Sequence, residues 1–407
     1  MSHVPTITAD CRPKSSERTA HWFAIVAFFV IFPAYIVYQI LVQKAVIRPY
    51  LGGYFTAGIA LGFPLLLLAS YTSTRPRMQF DLVEWLFFLF MALFGISIAV
   101  GVYFGITPDI VKPNAIAWGT FVVLYLFGLY FPWGDLTATC WAQLAFCALQ
   151  PLILFNSTNG QLIGGGYISP EIGIELNYQA VAMTYIVVAL AAIPPGRVLV
   201  RYAGYALSIL ALYMIGARSE FVAFALMVCV IEFIMARHKL LLIVLGMIGA
   251  VALLFLAQAL LGALPGSRIL GLSDISDDQS VIARAALSNN AWLSVSNWPI
   301  LGNFGNYLPG NYAHNILSVW VDMGLPGVVT LMLLMIFAGA NLILSYREEI
   351  RTPVFLVTAA LLVANLLLLL VAKYYTYQLL PIAIGAYGSL RRHAAMNRAS
   401  RPTSVPM

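Results

Sequence analysis

Along most of the chain polar and apolar positions do not alternate. Instead the sequence runs apolar for long stretches and breaks on short polar or Gly/Pro turns. About 20 mostly apolar residues suffice for a helix to cross the hydrocarbon core of a bilayer. On that criterion the candidate helices are 22–42, 51–70, 82–105, 114–131, 138–157, 178–194, 199–216, 219–236, 240–262, 325–345, 353–371 and 374–390, about twelve in all. Two segments interrupt the pattern. The first, "NSTNGQLIGGGYISPEIGIELNYQ" (156–179), is rich in Gly and Asn. The second runs from about Gly262 to Ala313 and mixes Trp, Leu, Ile and Pro with polar residues. Loops of that length are usually functional or disordered. The apolar content of this one predicts an ordered cap, with 281–296 as a short interfacial helix anchored by Trp292 and Trp298.

The expected fold is therefore all-α: a polytopic integral membrane protein of one membrane domain, 22–390, including a cap loop, 263–313, between helices 9 and 10. Tails at 1–21 and 391–407 read as disordered and cytoplasmic. The first apolar run is long enough to span and no small-residue cleavage pattern follows it, so the N-terminal tail does not read as a cleavable signal peptide. There is no internal repeat and no low-complexity tract.

Composition agrees. Of 407 residues 61% are hydrophobic and only 9% charged, against roughly 25% charged in soluble domains. The net charge of +6 is mostly a topology signal and not a nucleic-acid surface. With the N-terminus cytoplasmic, fifteen of the 22 Lys and Arg fall on the inner side, as the positive-inside rule requires. The seven exceptions are Lys44, Arg48, Lys112, Arg218, Arg268, Arg284 and Lys373. Both termini are thus expected inside. The four cysteines show no metal spacing, and Cys140 and Cys147, two turns apart, read as helix packing. Gly58 and Gly62 read the same way.

Candidate chemistry gathers on the predicted outer side. Arg218, in the tight turn "GARSEFVAF", either snorkels or pairs with Glu220, or else offers its planar fork of donors to phosphate oxygens. Arg284 on the cap reads as a solvated or headgroup contact when taken alone. Lys44 and Arg48 flank the first outward turn, where they add positive charge over the same face or bind lipid headgroups. Glu171 and Glu175, four apart, read as solvated acids, because Pro170 and Gly173 weaken a helical pairing, and Asp274, Asp277 and Asp278 suggest calcium only faintly, because no glycine-centred loop with a closing acid follows. No metal motif, phosphate-binding Gly loop or other cofactor signature is present, so no cofactor is expected. His314, in "GNYAHNILSVWVDMGLPG", is one of five histidines. It is either a helix-start residue bonded to a carbonyl or a general base, since an imidazole titrates near neutral pH. Asp322 and the "GLPG" at 324–327 predict a short helix that ends and re-enters as a second. A base with arginines and no metal implies a phosphate or diphosphate leaving group.

The stretches "GARSEFVAF", "ARAALSNNAWLSVSNWPILGNFGNY" and "HNILSVWVDMGLPG" resemble the bacterial O-antigen ligase and O-antigen polymerase superfamily. The likeness departs in two places. Pro299 to Gly305 is one residue longer between its glycines than the family's stretch, and Asp322 stands where relatives often carry Glu. The resemblance implies a GT-C-like, metal-independent, inverting glycosyltransferase of the bacterial inner membrane, with its active site on the periplasmic face. Its donor would be a glycan on undecaprenyl diphosphate and its acceptor a sugar hydroxyl of lipid A–core, with membrane lipids around both. It further implies His314 as base, and Arg218 and Arg284 on the diphosphate. Asn315 and Asp322 would orient the short helix, and Asn177, with Tyr178, would sit near the site. Alternatives are an O-antigen polymerase, a protein O-oligosaccharyltransferase and a lipid-linked glycan transporter. Transporters often carry internal symmetry and charges within their spans, and here the charges cluster on one face.

Overall fold

The computed structural model describes residues 15–44, 46–48, 54–73, 80–157, 162, 177–239, 279–309, 311–349 and 352–399. These residues form thirteen helices: α1 (Ser15–Ile31), α2 (Pro33–Gln43), α3 (Tyr54–Thr72), α4 (Leu82–Tyr103), α5 (Pro108–Tyr130), α6 (Leu136–Asn156), α7 (Tyr178–Ala192), α8 (Val198–Ile215), α9 (Arg218–Met235), α10 (Gln279–Asn297), α11 (Leu317–Glu349), α12 (Pro353–Val371) and α13 (Leu379–Ala399). No strand occurs among the described residues. Among the described residues eight helical stretches, with α1 and α2 taken as one, are long and apolar enough to cross a membrane. These spans make the protein polytopic, with helix as its regular structure throughout the described residues. Many large apolar side chains face outward, among them Leu89, Ile96, Leu144, Leu199 and Val371. So much exposed apolar surface suits lipid and not water.

Local signals account for most helix ends. Asp81 and Glu84 form a reciprocal capping box at the start of α4. Asp135 accepts from Thr137 N and Ala138 N at the start of α6. Pro108 and Pro353 occupy first-turn positions where a missing N–H costs nothing. α5 and α13 approach closely through Gly128 and Gly385, where an added Cβ would lie 2.3 Å from Ile382 O or 2.2 Å from Tyr125 O respectively. Gly58 and Gly62 face α1, as their spacing predicts.

Eleven of the twelve predicted stretches coincide with helices, and the twelfth, 240–262, lies outside the described residues. So do residues 263–278 of the cap and the acids Glu171, Glu175, Asp274, Asp277 and Asp278. α1 begins at Ser15, within the stretch read as a tail, and α13 continues to Ala399, into the other tail. Cys140 and Cys147 are a correction: they do share one face of α6, but that face is exposed and not packed. Residues two turns apart share a face whichever way the helix is turned.

The charged groups separate along the bundle. Arg201 pairs with Glu232 at 2.6 Å, Arg391 with Asp81 at 3.4 Å and Arg392 with Glu84 at 4.0 Å, all at one end. Glu220 lies twelve residues before Glu232 on α9, about 18 Å away at 1.5 Å per residue. It belongs to the opposite end, together with the α8–α9 turn, α10 and the start of α11.

Candidate functional site

That opposite end is built from helix termini. α12 packs along α9 and α7 touches α9 as well, so the start of α9, the start of α7 and the segment after α12 meet. Lys373, just past α12, is buried and bonds the fully buried Glu220 carboxylate at 2.5 Å. It also donates to Gln179 Oε1 at 2.8 Å and lies 5.1 Å from the ring centre of Tyr377. Glu220 accepts further bonds from Ser219 Oγ at 2.8 Å and Tyr377 OH at 3.3 Å. Arg218, half-buried, is the first residue of the same helix, where free backbone N–H groups add partial positive charge. Glu220, weighed in the sequence as a partner for Arg218, thus holds a buried bond to a lysine more than 150 residues away.

His314 stands beside this group. Burial, then the positive charges of Arg284 and Lys373, push its imidazole down from 6.5 to about 4. It is therefore neutral at physiological pH and free to accept a proton. Burial lowers Lys373 as well, against the opposing charge of Glu220. The His314 ring lies 4.9 Å from Tyr312, which in turn lies 4.4 Å from Tyr374.

The turn that holds His314 is fixed from both sides. Asn315 Oδ1 accepts from Leu317 N at 3.0 Å and its amide donates to Ser288 Oγ on α10 at 3.3 Å. Asn315 thus caps the short helix and ties it to the cap. Asp322, fully buried within that helix, accepts from Gly305 N at 3.3 Å, Tyr307 OH at 3.2 Å and Tyr374 OH. The predicted break follows at Gly324, whose φ of 63° and ψ of −163° interrupt α11. Leu325 N donates to Pro299 O and Ile300 O, both at 3.1 Å, and Asn303 N to Val321 O at 2.6 Å. The "PILGNFG" stretch is thereby docked onto the break. Trp292 and Trp298 are exposed, as interfacial anchors would be.

Of the residues singled out in the sequence, His314, Arg284, Arg218, Asn315 and Asp322 converge at this end. Lys44 and Arg48 lie exposed after α2. That turn reaches the same end through Gln43, which donates to Leu162 O, while Leu162 N donates to Met214 O at 2.7 Å just before the α8–α9 turn. Among the described residues no side-chain hydrogen bond or ion pair joins Lys44 or Arg48 to the His314 group. Asn177 caps α7 by accepting from Ala180 N at 3.1 Å, and it is Gln179, two residues on, that reaches Lys373. Sequence reasoning gave no role to Lys373, Gln179, Tyr312 or Tyr374. The available signal was a lysine followed by "YYTY" at a helix end, on the side the positive-inside rule disfavours. No group of three or more potential metal ligands occurs among the described residues. No protein-family model matches the chain, and no curated protein matches it.

Proposed function

We propose that the protein is an O-antigen ligase: a GT-C-like, inverting glycosyltransferase of about twelve spanning helices, moving a glycan from undecaprenyl diphosphate to a sugar hydroxyl of lipid A–core. The observation that carries this reading is the convergence of a neutral, half-buried His314 with Arg284, Lys373 and the Arg218 helix start at one end of an apolar bundle. His314 takes the proton from the acceptor hydroxyl. The hydroxyl oxygen attacks the anomeric carbon from the face opposite the diphosphate, the bond from that carbon to the diphosphate oxygen breaks, and undecaprenyl diphosphate leaves. Arg218 and Arg284 stabilise the charge that grows on the leaving group, a contribution that is usually the largest in such sites. Lys373, held by Glu220 in the resting protein, adds a third positive charge. Asn315 and Asp322 hold the short helix in position. The reacting end faces the periplasm of the inner membrane and both termini face the cytoplasm, which leaves the excess of Lys and Arg inside.

The test is reconstituted transfer from undecaprenyl-diphosphate glycan to purified lipid A–core without added metal. Product on lipid A–core supports the ligase. Longer glycans on the polyprenyl carrier with the core untouched would make the protein a polymerase, and product on a protein hydroxyl would make it a protein glycosyltransferase.

A further inference from the structure

Next to His314, across the Tyr312 ring, lies a cavity of about 140 Å³ that the reacting groups do not use. Its walls come from the first turns of α5, the loop before His314 and the segment after Lys373. They present Asp109, Asn114, Tyr307, Tyr312, Tyr374 and Thr376. A water molecule takes about 30 Å³, so the space exceeds a single solvent site several times over. A second, smaller cavity of about 50 Å³ shares the three tyrosines and adds Asn290, Ser294 and Asn311; the buried Ser294 hydroxyl finds no partner in the protein.

The chemistry of these walls selects the ligand class. No Lys or Arg lines either cavity, so an anion gains nothing there, and the cations stand on the His314 side. What the walls offer is aromatic surface beside a carboxylate, amides and hydroxyls. An aromatic face packs against the C–H face of a sugar ring, while carboxylate and amide groups accept from and donate to its hydroxyls. The tyrosine wall is held in place: Tyr307 and Tyr374 donate to Asp322, Asn114 donates to Ile110 O at 2.9 Å, and the Tyr312 and Tyr374 rings pack with centres 4.4 Å apart, tilted by 46°. Asp109 is exposed at the mouth.

We infer that this cavity is a saccharide subsite, and that it binds the acceptor sugar next to the one whose hydroxyl reacts at His314. The acceptor identity rests on the ligase reading; the saccharide chemistry of the walls does not. The subsite sets acceptor specificity, because a site built to bond hydroxyls discriminates strongly against rings that lack them.

The experiment is binding of core oligosaccharide, freed of lipid A, to the full chain in detergent, read by saturation-transfer NMR and calorimetry, which require no turnover. The expected result is a Kd raised at least about tenfold by Asp109→Ala and by Thr376→Val, the loss of one or two hydroxyl contacts. Tyr312→Phe keeps the ring and binds as the native chain does. Arg284→Gln, on the cation side, leaves Kd within about twofold, since no sugar contact is removed. Melting temperatures confirm that each variant is folded. Unchanged affinity in both Asp109→Ala and Thr376→Val, or no binding to the native chain, overturns the subsite. An equal loss in Arg284→Gln also overturns it, placing the sugar on the donor side. Tight oligosaccharide binding without transfer would refute the ligase reading and leave the subsite standing.

Discussion

In the proposed reaction His314 serves as the base because it is not charged before substrate arrives. Burial and the neighbouring cations hold its imidazole near 4, so above that value the neutral form predominates. The acid limb of kcat/KM, which reports the free enzyme, is expected near about 4 and not near 6.5. Replacing Arg284 removes one positive neighbour, which favours the protonated imidazole and raises its pKa. The acid limb of the residual Arg284→Gln activity therefore moves to higher pH, toward 6.5; an unmoved limb would mean that His314 does not sense Arg284. The same substitution lowers the maximal rate by about 10²–10³, the usual loss for one donor to a developing charge. Beside it, the Glu220–Lys373 pair is buried on both sides. Removing one partner of such a pair leaves an unmatched buried charge and costs about 3–5 kcal/mol. Glu220→Ala is expected to lower the melting temperature in detergent sharply, and Glu220→Gln with Lys373→Met to restore much of the loss. If the double variant melts no higher than the single, the pair is not what holds this end together.

At the scale of elements, the break in α11 carries the site. Gly324 sits at φ 63° and its added Cβ would fall 2.1 Å from Ile300 O. Gly324→Ala meets both a backbone penalty of about 1–3 kcal/mol and a backbone clash. The loop 299–305 is expected to lift off, seen as faster amide exchange at Asn303 and Leu325, whose N–H groups bond across this contact. Unchanged exchange there would contradict the docking. This break was legible in the sequence, because "GLPG" after an acid combines two helix-breaking residue types in four positions. The helices themselves were legible from apolar length, although α13 starts at Leu379, after 374, because "KYYTY" leaves the helix to build the site. What the sequence did not disclose was convergence. Nothing local to Lys373 says that it meets Glu220 and Gln179, since helix packing between distant segments writes no periodic signal. The same holds for Asp109 and Thr376, whose shared cavity exists only once α5 and the segment after α12 are side by side.

For the whole molecule, the two ends carry different charged groups, and the proposed reaction uses only one of them. One end carries the paired Arg201, Arg391 and Arg392, and the other carries His314 with Arg218, Arg284 and Lys373. Lys112 and Ala395 are exposed at opposite ends. In sealed inside-out vesicles, and with the four native cysteines replaced by serine, a maleimide that cannot cross the bilayer is expected to label Ala395→Cys and to spare Lys112→Cys; the reverse pattern would invert the topology and place the His314 end in the cytoplasm. The central claim is that His314, among these cations, is the base of a glycan transfer. Its most direct test is the initial rate of reconstituted transfer to lipid A–core by the native chain and by His314→Ala, in the same lipid and without metal. The account predicts product with the native chain and a rate lower by about 10²–10⁴, the usual contribution of a positioned base, with His314→Ala. Equal rates from the two proteins would contradict it.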